Sequence, residues 1–217
     1  MLKQLLYKEW RLVLHPTNLI FLSFSAMLLI PNYPYYIIFF YTGLSIFFLS
    51  LNARENHDLA YTLMLPVTKR SMVYARMFFV VQIELIQMLL AIPFAVLRWI
   101  MLAEGNLVGM DANIAFFGLS FVMLGIFNWV FFIRFFSAPA KVGRAFLLAS
   151  SALMVFILLA ETLTHTLPLF RDQLDTPDPS FLSIKLLFLG LGIGLYLLMT
   201  WRAAIVSARR FDALDLP

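Results

Sequence analysis

Long apolar runs constrain this chain before anything else does. Tyr35 to Leu51 contains no charged residue, and neither does Ile114 to Ile133. A helix rises about 1.5 Å per residue, so crossing a hydrocarbon layer about 30 Å thick takes roughly 20 apolar residues. Only 13% of the residues are charged and 16% are aromatic, whereas soluble domains carry about 25% charge. The expected fold is an all-α, multi-spanning membrane protein, with residues 1–217 forming a single transmembrane domain.

Six spans are expected, over about Thr17 to Ile30, Tyr35 to Leu51, Met72 to Ile100, Ile114 to Ile133, Ala145 to Leu167 and Phe181 to Val206. The first is short unless N-terminal residues lengthen it. Between the first two, "PNYPYY" (Pro31 to Tyr36) reads as a tight turn with its tyrosines placed like an interfacial aromatic belt. Six spans put both termini on one side. Thirteen of the sixteen Lys and Arg residues then share that side, and only Arg98, Arg171 and Lys185 fall opposite. Basic residues concentrate in cytoplasmic segments, so both termini are expected in the cytoplasm. The net charge of +4 does not indicate nucleic-acid binding, which needs basic residues gathered on one folded surface. No cysteine is present, which excludes disulfides, thiolate metal sites and thiol nucleophiles. No small-residue cleavage site follows the basic start, so the N-terminus is expected to be retained.

Residues 1–15, "MLKQLLYKEWRLVLH", are amphipathic. Lys3, Gln4, Tyr7, Lys8, Arg11 and His15 fall on one stripe, and Leu2, Leu5, Leu6, Trp10 and Val13 lie opposite. This pattern suits a helix lying in the membrane interface; the alternative is that it forms the first turns of the first span. Arg54 to Arg76 is the least apolar stretch of the chain. Asn52 or Asn56 can cap a helix over Glu55 to Leu65, whose early acids suit the helix dipole. Leu65-Pro66 breaks that helix, because the residue before a proline is pushed out of the helical region. Thr68 or Ser71 can then cap the third span. A short helix, a proline break and a basic re-entry could rest in a partner's groove, although composition alone favours an ordinary solvated loop.

The stretch "ENHDLAYTLMLPVTKRSMVYAR" resembles the segment between spans two and three in the type-2 permease family of ATP-binding-cassette (ABC) transporters. Small bacterial members show an acidic helix ending in Leu-Pro-Val or Leu-Pro-Ile, then a basic turn, a small residue and a cation. Glu55, Asp58, Tyr61, Leu65, Pro66, Val67, Lys69, Arg70, Ala75 and Arg76 hold those places here. "LLYKEWRL" looks like the family's N-terminal elbow helix, which often carries a Lys-Glu or Lys-Asp pair. Elsewhere the resemblance rests on hydropathy and the six-span layout.

The resemblance implies an elbow helix over residues 1–15 and a cytoplasmic coupling segment over residues 52–71. Within that segment Glu55, Asp58, Tyr61, Leu65, Pro66, Lys69 and Arg70 would take up motion from an ATPase subunit. It further implies a permease subunit of an exporter in a bacterial plasma membrane. Its partners would be a second membrane subunit, expected to be identical, and two cytosolic ABC ATPase subunits carrying ATP and Mg. Many phenylalanines and few charges in the spans suit an apolar or amphipathic cargo. The first choice is a membrane-active peptide, as in peptide, bacteriocin or phenol-soluble-modulin exporters; a lipid or hydrophobic drug follows. A reading from another class is a non-transporting immunity or sensor protein that docks a cytosolic partner through its basic loop.

No G-x-x-x-x-G-K-[ST] loop is present, so this chain lacks the usual phosphate cradle and no cofactor is expected on it. H-E-x-x-H and G-x-S-x-G are absent as well, and no enzyme activity is expected. Glu84 lies in the third span with Gln87 one turn on, and ionisable groups inside spans are costly. Two readings stay open. Glu84 and Gln87 line a translocation path or a subunit contact, or a protonated or paired glutamate satisfies a neighbouring helix. Glu161, near the outer end of its span, reads as an interfacial group in preference to a substrate contact. Gly190 and Gly194 form a G-x-x-x-G that permits close helix approach, within the subunit more readily than in a dimer. Asp172, Asp175 and Asp178 fit no calcium-loop spacing and read as a solvated external loop.

Overall fold

A computed structural model of the chain describes residues 2–14, 16–101 and 105–214. Met1, His15 of the N-terminal stripe, residues 102–104 and the last three residues of the tail lie outside the described residues. Every element among the described residues is helical. Helix α1 (Leu2–Lys8) runs into a π-helical turn, Glu9–Val13, and α2 (Pro16–Ser23) into a 3-10 stretch, Phe24–Leu29. There follow α3 (Tyr36–Glu55), α4 (Asp58–Leu63), α5 (Lys69–Met101) and α6 (Ile114–Ser137). A short turn, Pro139–Lys141, leads into α7 (Val142–Thr166); a π turn, Phe170–Leu174, precedes α8 (Leu182–Asp212).

Helices α3, α5, α6, α7 with its leading turn, and α8 are each long and apolar enough to cross a membrane. A sixth crossing exists only if Leu2–Val13 and Pro16–Leu29, which meet at 84°, count as one broken span. The expected first span is weak for a geometric reason. Its α and 3-10 stretches together reach only about 24 Å, at about 1.5 and 2.0 Å per residue, short of the roughly 30 Å needed. Other helices outrun their apolar cores: α3 continues past Leu51 to Glu55, α6 past Ile133 to Ser137, and α8 past Val206 to Asp212.

The core centres on α6, which begins at Asn113, whose side chain accepts from the Phe116 amide. Phe127, Phe131 and Phe135 stack along its buried face, with ring centroids 5.0 and 5.8 Å apart. On another face α6 lies against α8 with almost no side chain between them. A Cβ on Gly192 would collide with the Gly118 carbonyl, and one on Gly118 would meet the Phe188 carbonyl at 2.7 Å. Gly190 and Gly194 have open space where a Cβ would stand. The close approach within the subunit therefore uses Gly192, not the G-x-x-x-G pair.

At the end carrying Arg98 and Lys185, two sequence expectations are corrected. Tyr35 and Tyr36 form no interfacial belt: both are fully buried, packed against Phe116. Tyr35 donates to the Ile30 carbonyl at 3.1 Å and accepts from Arg98. Nor is the Asp172 to Asp178 loop simply solvated. Asp175 accepts from the Asp111 amide at 2.7 Å, and Asp178 accepts from the Ile114 amide at 3.2 Å and from the buried Lys185 at 2.9 Å. Glu161 accepts from the Met110 amide at 3.1 Å, so it helps hold residues 105–113 in place. The loops have polar backbone groups to satisfy, and these carboxylates are where they are satisfied. Only Asp172 keeps the solvated character, exposed and paired with Arg171.

Candidate functional site

The polar segment between α3 and α5 is built differently from the single helix over Glu55 to Leu65. Helix α3 runs on through Glu55, so Glu55 closes a span instead of opening the polar helix. The chain then turns at His57, whose φ of 50° reverses its direction, and α4 starts at Asp58. Neither Asn52 nor Asn56 caps α4; the N-cap position belongs to His57 and makes no side-chain cap bond. Helix α4 ends at Leu63, ahead of Leu65-Pro66, as the proline rule requires. Thr68 caps α5: its hydroxyl accepts from the Ser71 amide at 3.2 Å.

What holds α4 in place is a buried ion quartet that sequence reasoning did not assemble. Arg76, near the start of α5, reaches Glu9 at 2.6 Å and Asp58 at 2.7 Å. Lys8 reaches Asp58 at 2.7 Å, Glu9 at 3.3 Å and Thr62 at 2.9 Å. The side chains of Arg76 and Glu9 are only 3% and 4% exposed. Two cations face two carboxylates, so the group is neutral overall. The N-terminal helix, α4 and α5 meet at one charge-balanced knot, and its geometry is fixed because a buried charge must find a partner. One signal was available. Glu9 falls midway between the buried Leu5 and Val13, four residues from each, so a carboxylate stands in the apolar stripe.

The seven residues expected to form the coupling surface divide into two groups. Glu55, Tyr61, Leu65 and Pro66 are exposed, and Met64 joins them, with Tyr61, Met64 and Leu65 showing 64%, 79% and 52% of their surface. Asp58 is tied into the quartet. Lys69 donates to the Leu214 carbonyl at 2.6 Å and Arg70 pairs with Asp212 at 2.9 Å, so both hold the end of α8. Arg54 pairs with Glu55 and donates to the Ala140 carbonyl at 3.2 Å. The basic residues at this end thus tie α3 to the turn before α7, and α5 to the end of α8.

Glu84 and Gln87 share a buried face of α5 but serve different neighbours. Gln87 donates to Ser25 at 2.6 Å. Glu84 accepts from Asn128 of α6 at 3.0 Å and from Tyr196 of α8 at 2.6 Å.

A family model described as ABC-2 family transporter protein matches residues 4–211. The chain belongs to the ABC-2 transporter family. No curated protein and no solved structure matches it. As an ABC-2 membrane protein it is the kind of subunit that pairs with ABC ATPases. The family match covers both the knot around Arg76 and the polar joint at Glu84.

Proposed function

We propose that this chain is the permease subunit of an ATP-driven ABC-2 exporter of a bacterial plasma membrane, with both termini and the Glu55-to-Arg70 segment in the cytoplasm. Two separate ATPase subunits, carrying ATP and Mg, dock on that segment. A second permease copy, taken to be identical, completes the membrane part. The cargo is hydrophobic or amphipathic, with a membrane-active peptide first in line.

The observation that carries this reading is the combination of a rigid mount and an exposed apolar tip. Helix α4 is bolted to α5 through Arg76, so a push on α4 is delivered to a span instead of being lost in a flexible tether. Conformational coupling needs differential contacts of this kind in two states. Tyr61, Met64 and Leu65 face outward from the mount. An adjoining cleft of about 270 Å³, lined by Leu12, Asn52, Asn56 and Tyr61 among others, offers room for a partner's side chain.

Co-purification tests it. The chain, expressed with the P-loop ATPase of its own operon, is expected to retain that ATPase and to raise its hydrolysis rate. Tyr61→Ala with Leu65→Ala, or Glu55→Lys, is expected to weaken both. A membrane immunity or sensor protein would show neither retention nor stimulation, and that outcome refutes the permease assignment.

A further inference from the structure

Helices α6 and α8 form one body, locked by backbone contact at Gly118 and Gly192. Helix α5, which carries the α4 segment, touches α6 only sparsely. Its hydrogen-bonded link to both members of that body is Glu84. The donors around this carboxyl are already spent. Asn128 Nδ2 serves both Glu84 Oε2 and Thr200 Oγ1, the latter at 3.1 Å, and the Tyr196 hydroxyl serves Glu84 Oε2. Two buried acceptors, Glu84 Oε1 and Asn128 Oδ1, are left without a partner among the described residues. The joint is short of donors.

It is also short of a cation. From α6 and α8 the facing groups are Asn128, Thr200 and the Tyr196 phenol, all neutral. From the Phe24–Leu29 stretch the nearest polar group is Ser25, taken by Gln87, and the N-terminal helix offers Trp10, taken by Gln82. In α3 the charged residues, Arg54 and Glu55, sit at its last turn. Lys8 and Glu9 belong to the quartet around Arg76. Along α5, Arg76 and Arg98 stand roughly 12 and 21 Å from Glu84 at about 1.5 Å per residue, and each has its own carboxylate. Arg134 of α6 and Arg202 of α8 are exposed. An uncompensated carboxylate inside a membrane bundle carries a desolvation cost that two neutral donors do not offset. A proton on Oε1 removes the charge and turns one of the two orphaned acceptors into a donor.

We propose that Glu84 is a protonatable joint between α5 and the α6–α8 body, held as the neutral acid in this conformation and ionised when the joint opens to water. Only the opening step rests on the permease assignment. In a closed joint Glu84 is a bolt between α5, α6 and α8 that water can undo.

Infrared spectroscopy of the full-length protein in lipid nanodiscs, with no ATPase present, tests the first half. A carbonyl-stretch band of a protonated carboxylic acid is expected at neutral pH and is expected to vanish in Glu84→Gln. A wild-type minus Glu84→Gln spectrum without that band overturns the proposal. Glu84→Gln, neutral and of the same shape, is expected to keep the wild-type thermal midpoint, whereas Glu84→Ala loses both hydrogen bonds and lowers it. A Gln variant as unstable as the Ala variant overturns the proposal too. For the second half, the assembly with its ATPases is trapped with a non-hydrolysable ATP analogue. Disappearance of the band supports ionisation on opening, and its persistence overturns that step while the permease assignment stands on co-purification.

Discussion

Replacing Arg76 by methionine keeps a side chain of similar length but removes the guanidinium that Glu9 and Asp58 share. Lys8 is then left facing two carboxylates, and the knot gains a net negative charge inside the protein. Removing one partner of a buried ion pair typically costs about 3–5 kcal/mol, because the survivor keeps its desolvation cost without its partner. Arg76 and Glu9 are buried enough to fall in that range, but Asp58, 14% exposed, can recover some hydration. The expected loss is therefore about 3 kcal/mol, at the lower end of that range. Helix α4 has six residues, far below the roughly 12–15 at which an isolated helix is even marginal. Its amides are protected only while the knot holds it. Hydrogen exchange across residues 58–63 in nanodiscs should then accelerate roughly a hundredfold in Arg76→Met, at about 1.4 kcal/mol per factor of ten. Glu9→Gln should act in the same direction. The double variant restores charge balance between Lys8 and Asp58, so its cost should fall short of the sum by about 1–3 kcal/mol. Exchange within a few-fold of wild type in Arg76→Met, or strict additivity in the double variant, would refute the idea that this quartet mounts α4. A fully apolar replacement of all four side chains could equal the native stability; what it could not reproduce is the fixed angle of α4 relative to α5.

At the opposite end, burial pushes the Asp175 carboxyl up from 3.8 to about 6, with the Asp111 amide pulling it down and the Asp111 charge adding to the rise. The folded cap thus holds this proton more tightly than the unfolded loop does. Its contribution to stability is complete below the ordinary value and is lost as pH rises through about 6. Exchange across residues 105–113, corrected for intrinsic rates, should be slower on the acid side of that value, and Asp175→Asn should flatten the profile. Gly192→Ala should destabilise the α6–α8 contact by about 1–3 kcal/mol while Gly190→Ala, with open space at its Cβ, leaves the thermal midpoint unchanged; equal effects of the two would contradict the assigned packing. Lys185→Met removes the cation buried against Asp178 and takes away one of the two donors to the Thr176 carbonyl, which keeps only Asn113. A cost of about 1–3 kcal/mol follows, visible as faster proteolysis or exchange across residues 170–181, and an unchanged rate would mean the loop is held elsewhere.

The spans were legible because hydrophobic length is a local property: whether Ile114 to Ile133 can cross hydrocarbon depends on those residues alone. The exception, the first span, depends on how α2 passes into a 3-10 stretch and on the 84° bend before it, and no window of hydropathy contains either. The break at Leu65-Pro66 was legible for the same local reason, since a proline acts on the residue beside it. Polar pairing follows a different logic. The partners of Arg76 lie 67 and 18 residues away, and those of Glu84 lie 44 and 112 residues away, so spacing along the chain says nothing about them. What the sequence does contain is each anomaly by itself: Glu9 in an apolar stripe, Glu84 in a span, Lys185 at the edge of another. Each charge must be satisfied somewhere, and a chain built mostly of apolar helices has few charges to satisfy it with. A buried acid with an available cation, such as Glu9, therefore becomes a fixed mount. A buried acid with no cation beside it, such as Glu84, is left with neutral neighbours, and its state then depends on whether water can reach it.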